Sequence, residues 1–144
     1  RAGVRGVTAA VINVEISGSV PRLTRREIAA FARRVLRAVD IEPEELSIAF
    51  VDDESMRHLN RKFRRKNKTT DVLTFPGDGP LLGEIVISID QARRQAADEE
   101  HSLATEVRYL ILHGILHAMG HDHETDKGEM NALELKVRAK VGLD

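Results

Sequence analysis

The chain has 144 residues, 42% apolar and 31% charged, with 22 Lys and Arg against 23 Asp and Glu. Such a balance describes one globular domain with a sizeable core, residues 1–144, and excludes a disordered chain. Zero Cys excludes a disulfide scaffold or a cysteine metal site and fits a reducing cytoplasm. No run of about 18 apolar residues is available to span a membrane, and four Phe with one Tyr and no Trp exclude a broad platform for stacking many bases.

Arg1 to Ala10 lack the apolar run that a signal peptide needs and read as a flexible or added leader. From Ala10 to Ile16 apolar and polar residues alternate, which predicts a strand, and Ser17 to Pro21 form a turn. Thr24 with Glu27 three residues on predicts a capping box, opening a helix that turns Ile28, Phe31, Val35 and Leu36 inward. A second strand runs over Leu46 to Val51. Asp52 or Asp53 caps a second helix with Met56, Leu59 and Phe63 inward. Asp71 to Phe75 is a short strand stopped by Pro76-Gly77, and Gly77 to Pro80 read as a mobile loop. Leu82 to Ser88 is another strand, with Ile85 and Ile87 opposite Glu84 and Val86. Asp90 caps a helix through Ala97. Leu103 to Met119 form a long apolar helix, and Glu124 to Val141 a final amphipathic one with Met130, Leu133, Leu135 and Val137. The order β-α-β-α-β-β-α-α-α predicts an α+β domain, a small mixed sheet covered by helices.

The charge is uneven. Arg57, Arg61, Lys62, Arg64, Arg65, Lys66 and Lys68 fall within twelve positions with no acid among them. With those seven removed, 15 bases stand against 23 acids, so a positive patch sits on an acidic body. A solvated helix face would explain the run, and so would an anionic partner such as nucleic acid.

Four of the six His lie between His113 and His123. His113 and His117 are four residues apart in the apolar helix, a rotation of about 400°, so both imidazoles leave one face. Two imidazoles on a buried face are costly without partners, and one metal ion would satisfy both. Gly120 suits a left-handed helix stop that returns the chain and brings His123 round as a third ligand. His121 competes for that place, and the spacing favours His123. Three nitrogens leave a fourth tetrahedral position open, as in catalytic zinc sites. The His-x3-His-x5-His spacing matches the metzincin proteases, but Gly114 stands where those enzymes carry the general-base Glu. Gly inside a helix also suggests a close approach to the backbone, by a substrate or by another packed element. Zinc would activate water or polarise a phosphoryl oxygen, and Arg64 and Lys66 are the cations suited to stabilise charge on phosphate.

Three segments in this order resemble the YbeY-type endoribonucleases. His113-Gly114-Ile115-Leu116-His117-Ala118-Met119-Gly120-His121-Asp122-His123 resembles that family's His-Gly-x-Leu-His-x-x-Gly-Tyr-Asp-His signature. Leu59 to Pro76 resembles its Leu-Asn-x-x-Tyr-Arg…Thr-Asp-Val-Leu-Ser-Phe-Pro segment, and Leu82 to Ser88 its Leu-Gly-Asp-Ile-x-Ile-Ser strand. The resemblance implies a hydrolase with one zinc ion per chain, acting in the cytoplasm on single-stranded RNA and not on DNA. It implies 16S rRNA 3′-end processing, ribosome quality control, and association with the small ribosomal subunit and its assembly factors. It assigns His113, His117 and His123 as metal ligands, with His117 and Arg64 catalytic and Arg64 at the substrate phosphate. His121 and Phe63 replace the usual Tyr residues, and Thr69 stands where Pro is common. The other readings are a metalloprotease, which Gly114 opposes, and a non-catalytic assembly factor whose zinc holds the helix end to its loop.

Overall fold

The computed structural model describes residues 11–16, 23–65, 70–120 and 128–143. Its elements are β1 (Val11–Ile16), α1 (Arg25–Ala38), β2 (Glu45–Val51), α2 (Asp53–Arg64), β3 (Val72–Pro76), β4 (Leu81–Ser88), α3 (Ile89–Asp98), α4 (Leu103–Ala118) and α5 (Glu129–Val141). The expected order of elements and the α+β class both hold. The turn predicted at Ser17 to Pro21 lies outside the described residues.

The sheet runs β1-β2-β4-β3. β1 and β4 flank β2 in parallel, and β3 pairs antiparallel with β4 at the edge. Since side chains alternate along a strand, Leu46, Ile48 and Phe50 of β2 share one face with Ile85 and Ile87 of β4. That face carries the main core, built with α1, α3, α4 and α5. Each large apolar side chain fully buried there stabilises the fold by about 1.5–3 kcal/mol. The other face presents Ala49, Val51, Leu73, Phe75 and Val86 to Met56 and Leu59 of α2. Val86 lies opposite Ile85 and Ile87 as expected, and it is buried because α2 covers that side.

Local chemistry sets most boundaries. Thr24 Oγ1 accepts from the Glu27 amide at 3.1 Å while Glu27 Oε1 accepts from the Thr24 amide at 3.0 Å, the expected capping box. Asp52 caps α2 by accepting from the Ser55 amide at 2.8 Å. Gly77 to Pro80 form the β3–β4 hairpin turn, held by the Gly77 amide donating to the Leu82 carbonyl at 2.9 Å.

Three expectations are corrected. Ser88, not Asp90, caps α3, its hydroxyl accepting from the Gln91 amide at 3.2 Å. Asp90 instead accepts from the Asp53 amide at 2.9 Å, placing a carboxylate at the positive end of α2. Phe63 does not point inward: it is 55% exposed, whereas Met56 and Asn60, one turn apart, are the buried side chains of α2. The described part of the last helix begins at Glu129 after Gly128, whose φ of 104° is left-handed, and residues 124–127 lie outside the described residues. Its inward face carries Met130, Glu134, Val137 and Val141, so Leu135 is 52% exposed and a glutamate holds a core position.

Candidate metal centre

α4 is the helix on which the site is built. Ser102 caps its start, accepting from the Thr105 amide at 3.1 Å. Its C-cap is Met119, and Gly120 follows with a φ of 102°, its amide donating to the His117 carbonyl at 2.9 Å. The predicted glycine stop is in place, because glycine alone adopts this conformation without strain.

The two histidines meet as their spacing requires. Their rings lie edge to face with centroids 4.6 Å apart, and the two Nε2 atoms are 3.0 Å apart. The other ring nitrogen of His113, Nδ1, lies 2.9 Å from Glu134 Oε1 on α5. Glu134 Oε2 accepts from the Arg138 guanidinium at 2.6 Å. That guanidinium stacks 4.6 Å above the ring of Tyr109, whose hydroxyl donates to the Leu143 carbonyl at 2.7 Å. A continuous chain of contacts therefore runs from His117 through His113, Glu134, Arg138 and Tyr109 to the Leu143 carbonyl.

This chain dictates a tautomer. Salt-bridged to Arg138, the Glu134 carboxylate acts as an acceptor, so His113 Nδ1 carries the proton and the lone pair of the neutral ring is the one on Nε2, facing His117. Metal-ligating histidines have this arrangement, one nitrogen held by a carboxylate and the other aimed at the ion. The distance fits too. Two nitrogens bound to one tetrahedral zinc at about 2.0–2.1 Å stand roughly 3.3 Å apart, a few tenths beyond the observed separation. Among the described residues no three His, Cys, Asp or Glu side chains gather into a complete ligand set. His123, the expected third ligand, lies outside the described residues, as do His121, Asp122, Glu124 and Asp126.

Gly114 has a structural explanation. A Cβ there would stand 2.7 Å from Ile85 Cγ2, so the helix lies almost in contact with the sheet. The close approach foreseen from sequence comes from β4. The position after the first histidine faces the sheet and has no room for a general-base carboxylate.

The basic residues are placed differently. Arg57, Arg61, Lys62, Arg64 and Arg65 are all exposed on α2, which covers the face of the sheet opposite α4. Arg64 occupies the last turn of that helix and takes no part in the polar chain from His117 to Arg138. Lys66 lies outside the described residues.

Sequence reasoning missed Glu134 and Arg138. Their signal was an i, i+4 acid–base pair on a helix, which alone reads as a surface ion pair. It also missed Glu106, 6% exposed and seven residues before His113, hence on the same face of α4. Glu106 Oε1 lies 2.7 Å from His101 Nε2, and Oε2 accepts from Gln95 at 2.9 Å.

Comparison with known proteins places the chain in a family. The family model described as Endoribonuclease YbeY matches residues 13–142. A relative named Endoribonuclease YbeY from Solibacter usitatus (strain Ellin6076) is 48% identical over 122 residues, covering 84% of this chain and 82% of the relative. Another of that name from Aquifex aeolicus (strain VF5) is 44% identical over 128 residues, 83% of this chain and 85% of the relative. The solution structure of a Thermotoga maritima protein superposes with a TM-score of 0.63 at 25% identity, covering 91% of this chain and 89% of that one. With a family model spanning nearly the whole chain and relatives of this identity along most of their length, the protein belongs to the YbeY endoribonuclease family.

Proposed function

We propose that the protein is a zinc-dependent endoribonuclease that cuts single-stranded RNA, and that it acts in the cytoplasm on the small ribosomal subunit, at the 3′ end of 16S rRNA and in ribosome quality control. The observation that carries the metal-dependent chemistry is the His113–His117 pair, two Nε2 atoms 3.0 Å apart with a carboxylate behind one of them. Family membership supports the RNA substrate. The family consists of metal-dependent nucleases, and zinc as the particular ion is our reading of the all-histidine donor set.

In this reading His113, His117 and His123 hold one zinc ion per chain. Bound zinc supplies a Lewis acid for a phosphoryl oxygen and water activated for attack near neutral pH. The chain's own residues do the rest. Glu134 fixes the His113 ring and keeps its proton on Nδ1, Arg138 holds that carboxylate in place, and Arg64 meets the substrate phosphate. The protease reading keeps the histidine spacing but lacks its general base, since Gly114 is packed on Ile85. The assembly-factor reading is decided by turnover.

The test uses end-labelled single-stranded RNA with the wild type, His117→Ala and Arg64→Ala, each refilled with zinc, and casein as protease control. Cleavage of RNA by the wild type alone is expected. Intact RNA, or equal cutting by all three proteins, would overturn the enzyme reading and favour a binding role.

A further inference from the structure

Phe63 is the one Phe of four that stands exposed, and it does so in the middle of the densest run of positive charge in the chain. An aromatic ring 55% exposed among Arg61, Lys62, Arg64 and Arg65 is not needed to cover the sheet, which Met56, Leu59 and Asn60 already do. The ring is nevertheless held in place. It forms an edge-to-face pair with Phe75 of β3, with centroids 5.1 Å apart and planes at 70°, and the Lys62 ammonium lies 5.3 Å from its centroid.

Its position relates it to the histidine pair. A Cβ on Gly83 would lie 2.9 Å from the Phe75 carbonyl oxygen and 3.1 Å from the Ala118 Cβ. Ala118 follows His117 directly, and Pro76 pairs with Gly83. The last turn of α4, at Gly83 of β4, and the Phe63 ring, at Phe75 of β3, therefore meet the same end of the paired strands β3 and β4, from the two faces of the sheet. A flexible polyanion crossing that edge would reach both.

We propose that Phe63 is a stacking platform for one base of single-stranded RNA, with Arg61, Lys62 and Arg64 holding the flanking phosphates. Single-strand sites combine these two elements, cations that track the backbone and an aromatic ring that takes a base face regardless of its identity. A duplex, its bases already stacked, could not use the ring. The inference rests on the ribonuclease reading and adds to it a base-binding position outside the metal centre.

The chain has no Trp, so Phe63→Trp introduces a single fluorophore at this point. The zinc-loaded full chain would be mixed in stopped flow, before turnover, with an oligouridylate or with an abasic oligomer of equal phosphate count. Quenching by the oligouridylate alone is expected, and an equal response to both would show phosphate attraction only and overturn the proposal. In steady-state cleavage, Phe63→Leu should raise KM roughly tenfold with kcat nearly unchanged, and Phe63→Tyr should restore it. An unchanged KM for Phe63→Leu in an enzyme that still binds and cuts RNA would overturn stacking while sparing the ribonuclease. A wild type that neither binds nor cuts RNA would overturn both.

Discussion

Replacing Glu134 by Ala removes the group that orients His113. The residue is 9% exposed and engaged on both oxygens, by His113 Nδ1 at 2.9 Å and Arg138 at 2.6 Å. Two effects follow and can be separated. Without its carboxylate the imidazole is free to place its proton on either nitrogen, and loss of such a support weakens metal binding about 10–100-fold. At RT ln of that ratio, this is roughly 1.4–2.7 kcal/mol. The metal-free fold also loses a charge-assisted contact and leaves Arg138 without its anion, at about 1–3 kcal/mol. Glu134→Gln keeps an oxygen for the Nδ1 proton and should fall much nearer the wild type in metal affinity, while still weakening the bond to Arg138. Zinc affinity is read by competition with a chromogenic chelator, the His113 tautomer by the 15N shifts of its ring, and stability by urea unfolding of the chelated protein. Zinc bound equally tightly by wild type and Glu134→Ala, with Nδ1 still protonated, would refute the positioning role whatever happened to stability.

Gly114→Ala gains about 1 kcal/mol of helix propensity but drives a methyl group against Ile85, and overpacking costs about 1–3 kcal/mol, so we expect no gain and up to about 2 kcal/mol of loss in urea unfolding; a variant stabilised by the full propensity term would show that α4 can lift from the sheet at no cost. On α5, Met130→Ala should cost about 2–5 kcal/mol, whereas Leu135→Lys should change stability by less than about 0.5 kcal/mol, and a large loss at Leu135 would contradict the helix orientation. The Thr24 and Ser55 amides hold the carboxyls of Glu27 and Asp52 below their ordinary values of 4.5 and 3.8. Groups depressed in the folded state add stability above the unfolded pKa and lose it as pH falls through the folded value. Stability should therefore decline on acidification below about pH 4.5 and flatten once both are protonated, with Glu27→Gln and Asp52→Asn making that limb shallower; an unchanged acid limb in the double variant would mean that the caps do not contribute.

Local rules carried much of this protein. The capping box at Thr24 and Glu27, the alternating strand β1 and the glycine stop after α4 depend on neighbours within a few residues, so sequence spacing suffices to predict them. The same is true of the meeting of His113 and His117, since four residues of helix place two side chains one turn apart on one face. What the sequence could not determine depends on which elements lie against each other. Val86 is buried on the second face of the sheet and Phe63 is left on the rim because α2 crosses that side and meets it through Met56 and Leu59. Asp90 serves the start of α2 rather than its own helix because α2 and α3 pack together. The assignment of the His113 proton needs a carboxylate twenty-one residues further on, in a helix whose inward face only docking against α4 reveals. Spacing along a helix is fixed by its pitch, whereas contact between helices is fixed by how the whole core closes, and it is the second that sets an ion pair on α5 behind the candidate metal ligand His113.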